Sequence, residues 1–188
     1  EALYSGTLFH VPDAVVPLLR EGLEMGRSFV QPRYQTRHSL DYLWWGIGAF
    51  LKRNPGYRYL FGPASISRHY GSEGTALLTG YYGHYFAAPE LGVRARNPLR
   101  LADAVIATAR EDFRGDDREG DFRILRTKLS AKGLPVPTLY KHYSQSMRPG
   151  GVSFSAFNVD SAFGDCVDSF VLADLEQLTP RKRQRYLS

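Results

Sequence analysis

At Leu40 the apolar residues fall into a helical step. Leu40, Leu43, Trp44, Ile47 and Leu51 recur at i, i+3, i+4, i+7 and i+11, so one face of a helix carries them all. Ser39 is a suitable N-cap, and Asn54-Pro55-Gly56 ends the segment. On either side the pattern is extended. Residues 23–31 read as a strand that Pro32 stops, and residues 57–66 as a second strand rich in aromatic and apolar side chains. Strand, polar loop, amphipathic helix and strand in direct succession require a layered fold in which the helix covers a sheet.

The rest of the chain fits such a domain. Residues 2–9 read as a short strand or extended arm, and 12–20 as a helix with Pro12 in its first turn. Helices are expected over 75–86, 99–111, 122–129 and 138–147, with a mobile charged loop at 114–120. Residues 152–159 and 166–173 return to strand, joined by a turn at 160–165, and 179–187 form a short basic helix. The class is α/β (α+β), with a mixed central sheet flanked by helices.

Composition excludes several alternatives. The 188 residues suffice for one domain with a real core, and no apolar run approaches the ~20 residues of a membrane-spanning helix. A single cysteine, Cys166, rules out a disulfide framework and suits a reducing, cytoplasmic compartment; it reads as a small buried strand residue rather than a nucleophile. There is no His-Glu-x-x-His, no cysteine pair, no Gly-x-Gly-x-x-Gly after a strand and no Gly-x-Ser-x-Gly, so metal, dinucleotide and serine-hydrolase chemistry lack their signatures. The net charge of +5 favours acidic partners. The cluster Arg181-Lys182-Arg183-Gln184-Arg185 reads as a solvated tail helix, with docking to an acidic carrier or an anionic membrane surface as the alternative.

The polar loop 31–38 precedes a helix N-terminus, where free backbone N–H groups and the helix dipole attract anions. Arg33, Arg37 and His38 add positive charge, so a phosphate or pyrophosphate can sit there.

The stretches 24–30, 43–48 and 59–67, in this order, resemble the hemolysin-like N-acyltransferases. That group has the fold of the GCN5-related N-acetyltransferases (GNAT) and includes ornithine lipid synthases and long-chain N-acyl amino acid synthases. Phe157-Asn158-Val159-Asp160 and Phe163 to Asp168 are similar to the family's last strand pair. The resemblance covers nearly the whole chain. It implies a single GNAT-like domain, 1–188, with splayed central strands, serving bacterial lipid biosynthesis. Most of the family's first three strands and two helices lacks a counterpart, so the chain is expected to be the C-terminal portion of a longer domain or chain.

The resemblance also implies a reaction. No cofactor is tightly bound. The co-substrate is an acyl-phosphopantetheine thioester, on acyl carrier protein or as acyl-CoA, and the acceptor is a small amine or an amino acid such as ornithine. The family's acetyl-coenzyme A branch has a glycine-rich pyrophosphate loop; none of residues 31–40 is glycine, which favours the carrier protein. Glu24 and Arg27 resemble the glutamate-x-x-arginine of the acyl-homoserine-lactone synthases, with Glu24 as base. Ser28, Phe29, Val30, Arg33, Arg37, His38, Ser65 and Ser67 are the expected donor-binding residues, the pantetheine arm lying between splayed strands at 27–31 and 61–67. Tyr81 and Tyr82 are the candidate proton donors to the leaving thiolate, with a packing role as the alternative for each. His69, His84, Lys141 and His142 are secondary candidates. Two other readings remain: an autoinducer-type synthase acting on S-adenosylmethionine, and a non-catalytic carrier- or membrane-binding module. No metal and no nucleic acid is expected, and peripheral contact with an anionic inner membrane is compatible with the charge.

Overall fold

The computed structural model describes residues 3–26, 30–34 and 38–187. One helical turn, α1 (Ser5–Leu8), leads into a two-residue strand, β1 (Phe9–His10), and a short helix, α2 (Val16–Arg20). Next come β2 (Gly22–Glu24), α3 (Ser39–Arg53), β3 (Tyr59–Ile66), α4 (Gly71–Tyr85) and β4 (Arg94–Ala95). Three helices follow, α5 (Asp103–Glu111), α6 (Arg118–Ala131) and α7 (Thr138–Ser146). The hairpin β5 (Val152–Asp160) and β6 (Cys166–Asp174) precedes α8 (Pro180–Leu187).

The central sheet has four strands in the order β2–β3–β6–β5. β2 runs parallel to β3, while β3–β6 and β6–β5 are antiparallel. β1 and β4 form a separate two-stranded pair. Alternation along β6 divides the core: Val171 and Ala173 face the helices with Leu60, Leu78, Tyr82 and Phe154, while Phe170 and Leu172 face Phe9 and Phe61. A bulge between Ser155 and Asn158, with Ala156 at φ 54°, re-aims β5 towards the segment before α5. There Leu99 N–H donates to the Phe157 carbonyl, so α5 starts at Asp103 rather than at Leu99. The fold is thus mixed α/β and GNAT-like.

Several expected elements change for reasons that lie far along the chain. Residues 5–8 form a helical turn, not a strand, because the Glu24 carboxylate accepts hydrogen bonds from the Tyr4 and Ser5 N–H groups. The strand expected over 23–31 runs as strand over Gly22–Glu24, and residues 27–29 lie outside the described residues. α6 begins within the expected loop 114–120, where Asp117 accepts from Gly120 N–H; buried Asp121 accepts from the Arg114 and Gly115 N–H groups and pins the rest. His38, not Ser39, is the N-cap residue of α3; the Ser39 hydroxyl donates to the Tyr34 carbonyl.

The basic tail is docked rather than merely solvated. Tyr186 of α8 is buried, its hydroxyl donates to Asp41, and Arg185 forms an ion pair with the same carboxylate at 2.8 Å. Arg183 donates to the Leu175 carbonyl at 2.7 Å. This approach depends on Gly48 of α3: a Cβ there would lie 1.9 Å from the Tyr186 carbonyl oxygen. Gly46, on the same helix, has open space around it. The two glycines therefore predict opposite signs. Gly46→Ala stabilises by about 1 kcal/mol through helix propensity. Gly48→Ala gains the same propensity but forces α3 and α8 apart, for a net loss of about 1–2 kcal/mol. Thermal denaturation of both variants checks the pair.

Candidate active site

The site is organised by the point where β2 and β3 stop pairing. Their ladder runs from Tyr59 N–H to the Glu21 carbonyl up to Met25 N–H to the Phe61 carbonyl at 2.6 Å. Alternate residues of a strand point their backbone groups to the same side, so the next rung would run from residue 63 to the Met25 carbonyl. Residue 63 is proline and has no N–H. Gly62, at φ +145°, lets the Met25 carbonyl crowd over the strand where a Cβ would stand 2.4 Å away. β3 then continues to Ile66, and from Gly62 onward it pairs, among the described residues, with β6 alone.

Beside this half-paired stretch lies a cavity of about 690 Å³. Leu40, Leu43, Trp44 and Ile47 form its α3 wall, the same face that the helical spacing marks. Met25, Pro63 and Ser65 supply the sheet side, and Leu139 and Tyr143 of α7 close another side. Tyr4, Ala162 and Phe163 complete the rim, and Asp168 lies at the sheet end.

That sheet end is polar and charged. The Ser65 hydroxyl donates to Asp168 at 2.5 Å, bringing together residues 103 positions apart. Asp168 is 1% exposed. Burial, joined by the nearby negative charge of Asp160, holds its carboxyl above the usual carboxylate range against the opposing Ser65 hydrogen bond. Asp160 is buried too; it accepts from Tyr4 Oη at 2.7 Å and from Ala162 N–H at 2.9 Å. The Cys166 thiol points at Asp168 from 3.9 Å, and burial pushes it up to about 11, so it stays protonated and is no nucleophile.

Another part of the wall is aromatic. Trp44 stacks on His142 with ring centroids 4.5 Å apart and meets Tyr143 edge-on at 5.5 Å. Burial, then the charge of Lys182, lowers the His142 pKa to about 4, so the imidazole is neutral at pH 7.

The expected site residues are distributed unevenly over this geometry. Ser65 lies on the cavity and Glu24 does not line it: both Glu24 oxygens are engaged, by Tyr4 N–H, Ser5 N–H and the Ser5 hydroxyl at 2.6–3.1 Å. Arg27, Ser28, Phe29 and Arg37 lie outside the described residues. Val30 is half-buried, and His38 is exposed at the start of α3. Arg33 is exposed; it donates to Gln31 and lies 4.7 Å from the Tyr34 ring centroid. Ser67 caps the turn 68–70 by accepting from His69 N–H.

Tyr81 and Tyr82 do not line the cavity. Both are buried in the core, where Tyr81 donates to the Arg118 carbonyl and Tyr82 packs on Tyr140 and Phe154. Burial pushes both phenols up, Tyr81 to about 12, so a packing role fits them better than proton delivery. His84 bonds to the Gly115 carbonyl, away from the cavity. Sequence reasoning passed over Asp168 and Tyr143. Asp168 follows Cys166 by two in a strand, so both side chains share a face, and an acidic residue in a largely apolar strand was the available signal. Among the described residues, no group of three or more His, Cys, Asp or Glu is placed to hold a metal, and no helix is long and apolar enough to cross a membrane.

Comparison with known proteins bears on this geometry. A family model described as an acetyltransferase (GNAT) domain matches residues 1–45, which include β2 and the start of α3. A glycine N(alpha)-acyltransferase of Bacteroides thetaiotaomicron is 28% identical over 98% of this chain and 56% of its own length. The chain is thus similar to a GNAT acetyltransferase domain over its first 45 residues and to a glycine N(alpha)-acyltransferase over nearly all of its length. A glycine N(alpha)-acyltransferase of Phocaeicola vulgatus is 26% identical over 88% of the chain and 52% of that protein. The chain thus spans about half the length of the curated relatives it matches. No solved structure matches it.

The buried His142 predicts an acid-sensitive fold. Its pKa falls from an ordinary 6.5 to about 4 on folding, so the unfolded chain binds the proton more tightly. The stability this neutral ring supports is present above pH 6.5 and is lost as pH falls towards 4, on the order of 3 kcal/mol in all. Denaturant titrations from pH 7 to 4 should show a flatter profile for His142→Phe, which keeps the stack and removes the titrating nitrogen.

Proposed function

We propose that this chain carries the acyl-transfer site of an N-acyltransferase that moves a fatty acyl group from a phosphopantetheine thioester to the amine of glycine or a similarly small amino acid. The observation that carries the reading is a cavity lined mainly by apolar side chains whose polar part, Ser65 and Asp168, meets the stretch of β3 that pairs, among the described residues, with β6 alone. An acyl chain needs the first, a thioester carbonyl the second, and an extended pantetheine arm the third. The names of the two relatives favour glycine as acceptor; ornithine is the other amine in view. The net charge of +5 and the absence of glycine from residues 31–40 favour acyl carrier protein over coenzyme A as the donor's carrier. Exposed Tyr42, Trp45 and Phe50 on α3, with Arg185 near Trp45, suit contact with an anionic membrane surface.

In this reading the amine nitrogen attacks the thioester carbonyl carbon. The C–N bond forms, the C–S bond breaks, and the amine proton passes to Asp168, directly or through the Ser65 hydroxyl. Asp168 then returns a proton to the leaving thiolate, so the cycle balances. A carboxylate with a raised pKa is the stronger base, and Asp168 has one; both Glu24 oxygens are already engaged by Tyr4 and Ser5, and Glu24 does not line the cavity. The Ser65 N–H, on the side of β3 that β2 leaves open, suits the oxyanion. Glu24 anchors α1 to the end of β2.

The test supplies acyl carrier protein and coenzyme A thioesters with a panel of amino acids and S-adenosylmethionine. An N-acyl amino acid is the expected product. Asp168→Asn should lower the rate about 100-fold or more, while Glu24→Gln chiefly lowers stability. The reverse ranking assigns the base to Glu24. A lactone formed from S-adenosylmethionine supports the autoinducer-type reading, and carrier binding without transfer to any amine supports a binding module.

A further inference from the structure

We infer that Trp44 is the end wall of the acyl cavity and sets the longest acyl chain it accepts; this rests on the acyl-transfer reading above. The lining has two distinct parts. The polar part is on the sheet, at Ser65 and Asp168, and Phe163 on the same lining is 65% exposed. The apolar part comes largely from α3 and α7, and Trp44 stands in it at 4% exposure. Trp44 is the bulkiest side chain on the lining.

What lies behind Trp44 makes it a wall rather than a flap. His142 stacks on the indole at 4.5 Å and an interplanar angle of 25°, and Tyr186 meets it at 5.9 Å. Neither of these lines the cavity, so the indole separates them from it. Tyr186 is itself fixed by its hydroxyl bond to Asp41 and by the close contact at Gly48. His142 Nε2 is buried with no hydrogen-bond partner, so the imidazole acts there as a flat, neutral plate. An acyl chain anchored by its thioester at Ser65 and Asp168 extends away from the sheet along Leu40, Leu43 and Ile47 and ends against a ring that cannot retreat. Shortening that ring adds depth at the far end without touching the polar end.

Two measurements test this. In the first, equimolar saturated acyl thioesters of increasing even length compete for transfer by wild type, Trp44→Phe and Trp44→Leu. The product profile should move to longer chains in that order. The longest-to-next-longest product ratio should rise about 15-fold in Trp44→Leu, the worth of two more buried methylenes at about 0.8 kcal/mol each. In the second, Trp45→Phe leaves Trp44 as the sole tryptophan, and non-transferable S-alkyl coenzyme A thioethers are titrated in. Trp44 emission should shift abruptly at one chain length, that of the longest chain wild type transfers. Transfer with an unchanged profile in folded Trp44 variants overturns the wall, as does an emission response that is flat or indifferent to length. Absence of transfer from any thioester to any amine, with a length-dependent emission step retained, overturns the acyl-transfer reading and leaves the wall standing.

Discussion

β3 is hydrogen-bonded on both sides along its first half and, among the described residues, to β6 alone along its second, and the rest of the site is arranged around that change. The change occurs at Pro63, which cannot supply the next rung to β2. Had the ladder continued, the sheet would be closed where the cavity now reaches it. Among the described residues, Ser65 pairs only across to Asp168, so β6 holds this stretch of β3 while no described residue of β2 does. A proline inside a sheet is normally confined to an edge, and here it creates one in the middle of the sheet. The strand keeps its rigidity from β6 and gains an accessible backbone from the loss of β2.

The electrostatics of the two cavity ends are complementary. At the sheet end, Asp160 and Asp168 are buried near each other, with Tyr4, Ala162 and Ser65 supplying hydrogen bonds. At the helix end, the ionisable ring of His142 is kept neutral, with Lys182 and Arg185 raising the cost of charging it. One part carries buried, hydrogen-bonded carboxyl groups, and the other is held apolar. That division suits a ligand with a reactive head and an inert tail.

The layers of the fold were legible because they rest on short-range pattern. The spacing from Leu40 to Leu51 marked the cavity wall of α3, and the strands read at 57–66, 152–159 and 166–173 match three of the four central strands to within two residues at each end. The site was less legible because its pairings are long-range. Asp168 becomes significant only when β3 and β6 bring it to Ser65. Glu24 read as a candidate base because its partners, Tyr4 and Ser5, lie in a segment whose residues read as extended. The tyrosines of α4 were conspicuous by type, but type does not reveal which face of the helix turns inward; Tyr81 and Tyr82 turn into the core.

The contact between α3 and α8 has a consequence for how the molecule is assembled. Asp41 and Arg185 meet across 144 positions of chain. A ribosome releases α3 long before α8, and contacts of such separation form late because their loop-closure cost comes first. Until α8 arrives, the back of Trp44 lacks Tyr186, and only the His142 ring supports the indole. The nascent chain therefore passes through a stage in which this wall stands with half its backing, and the docking of α8 ends that stage.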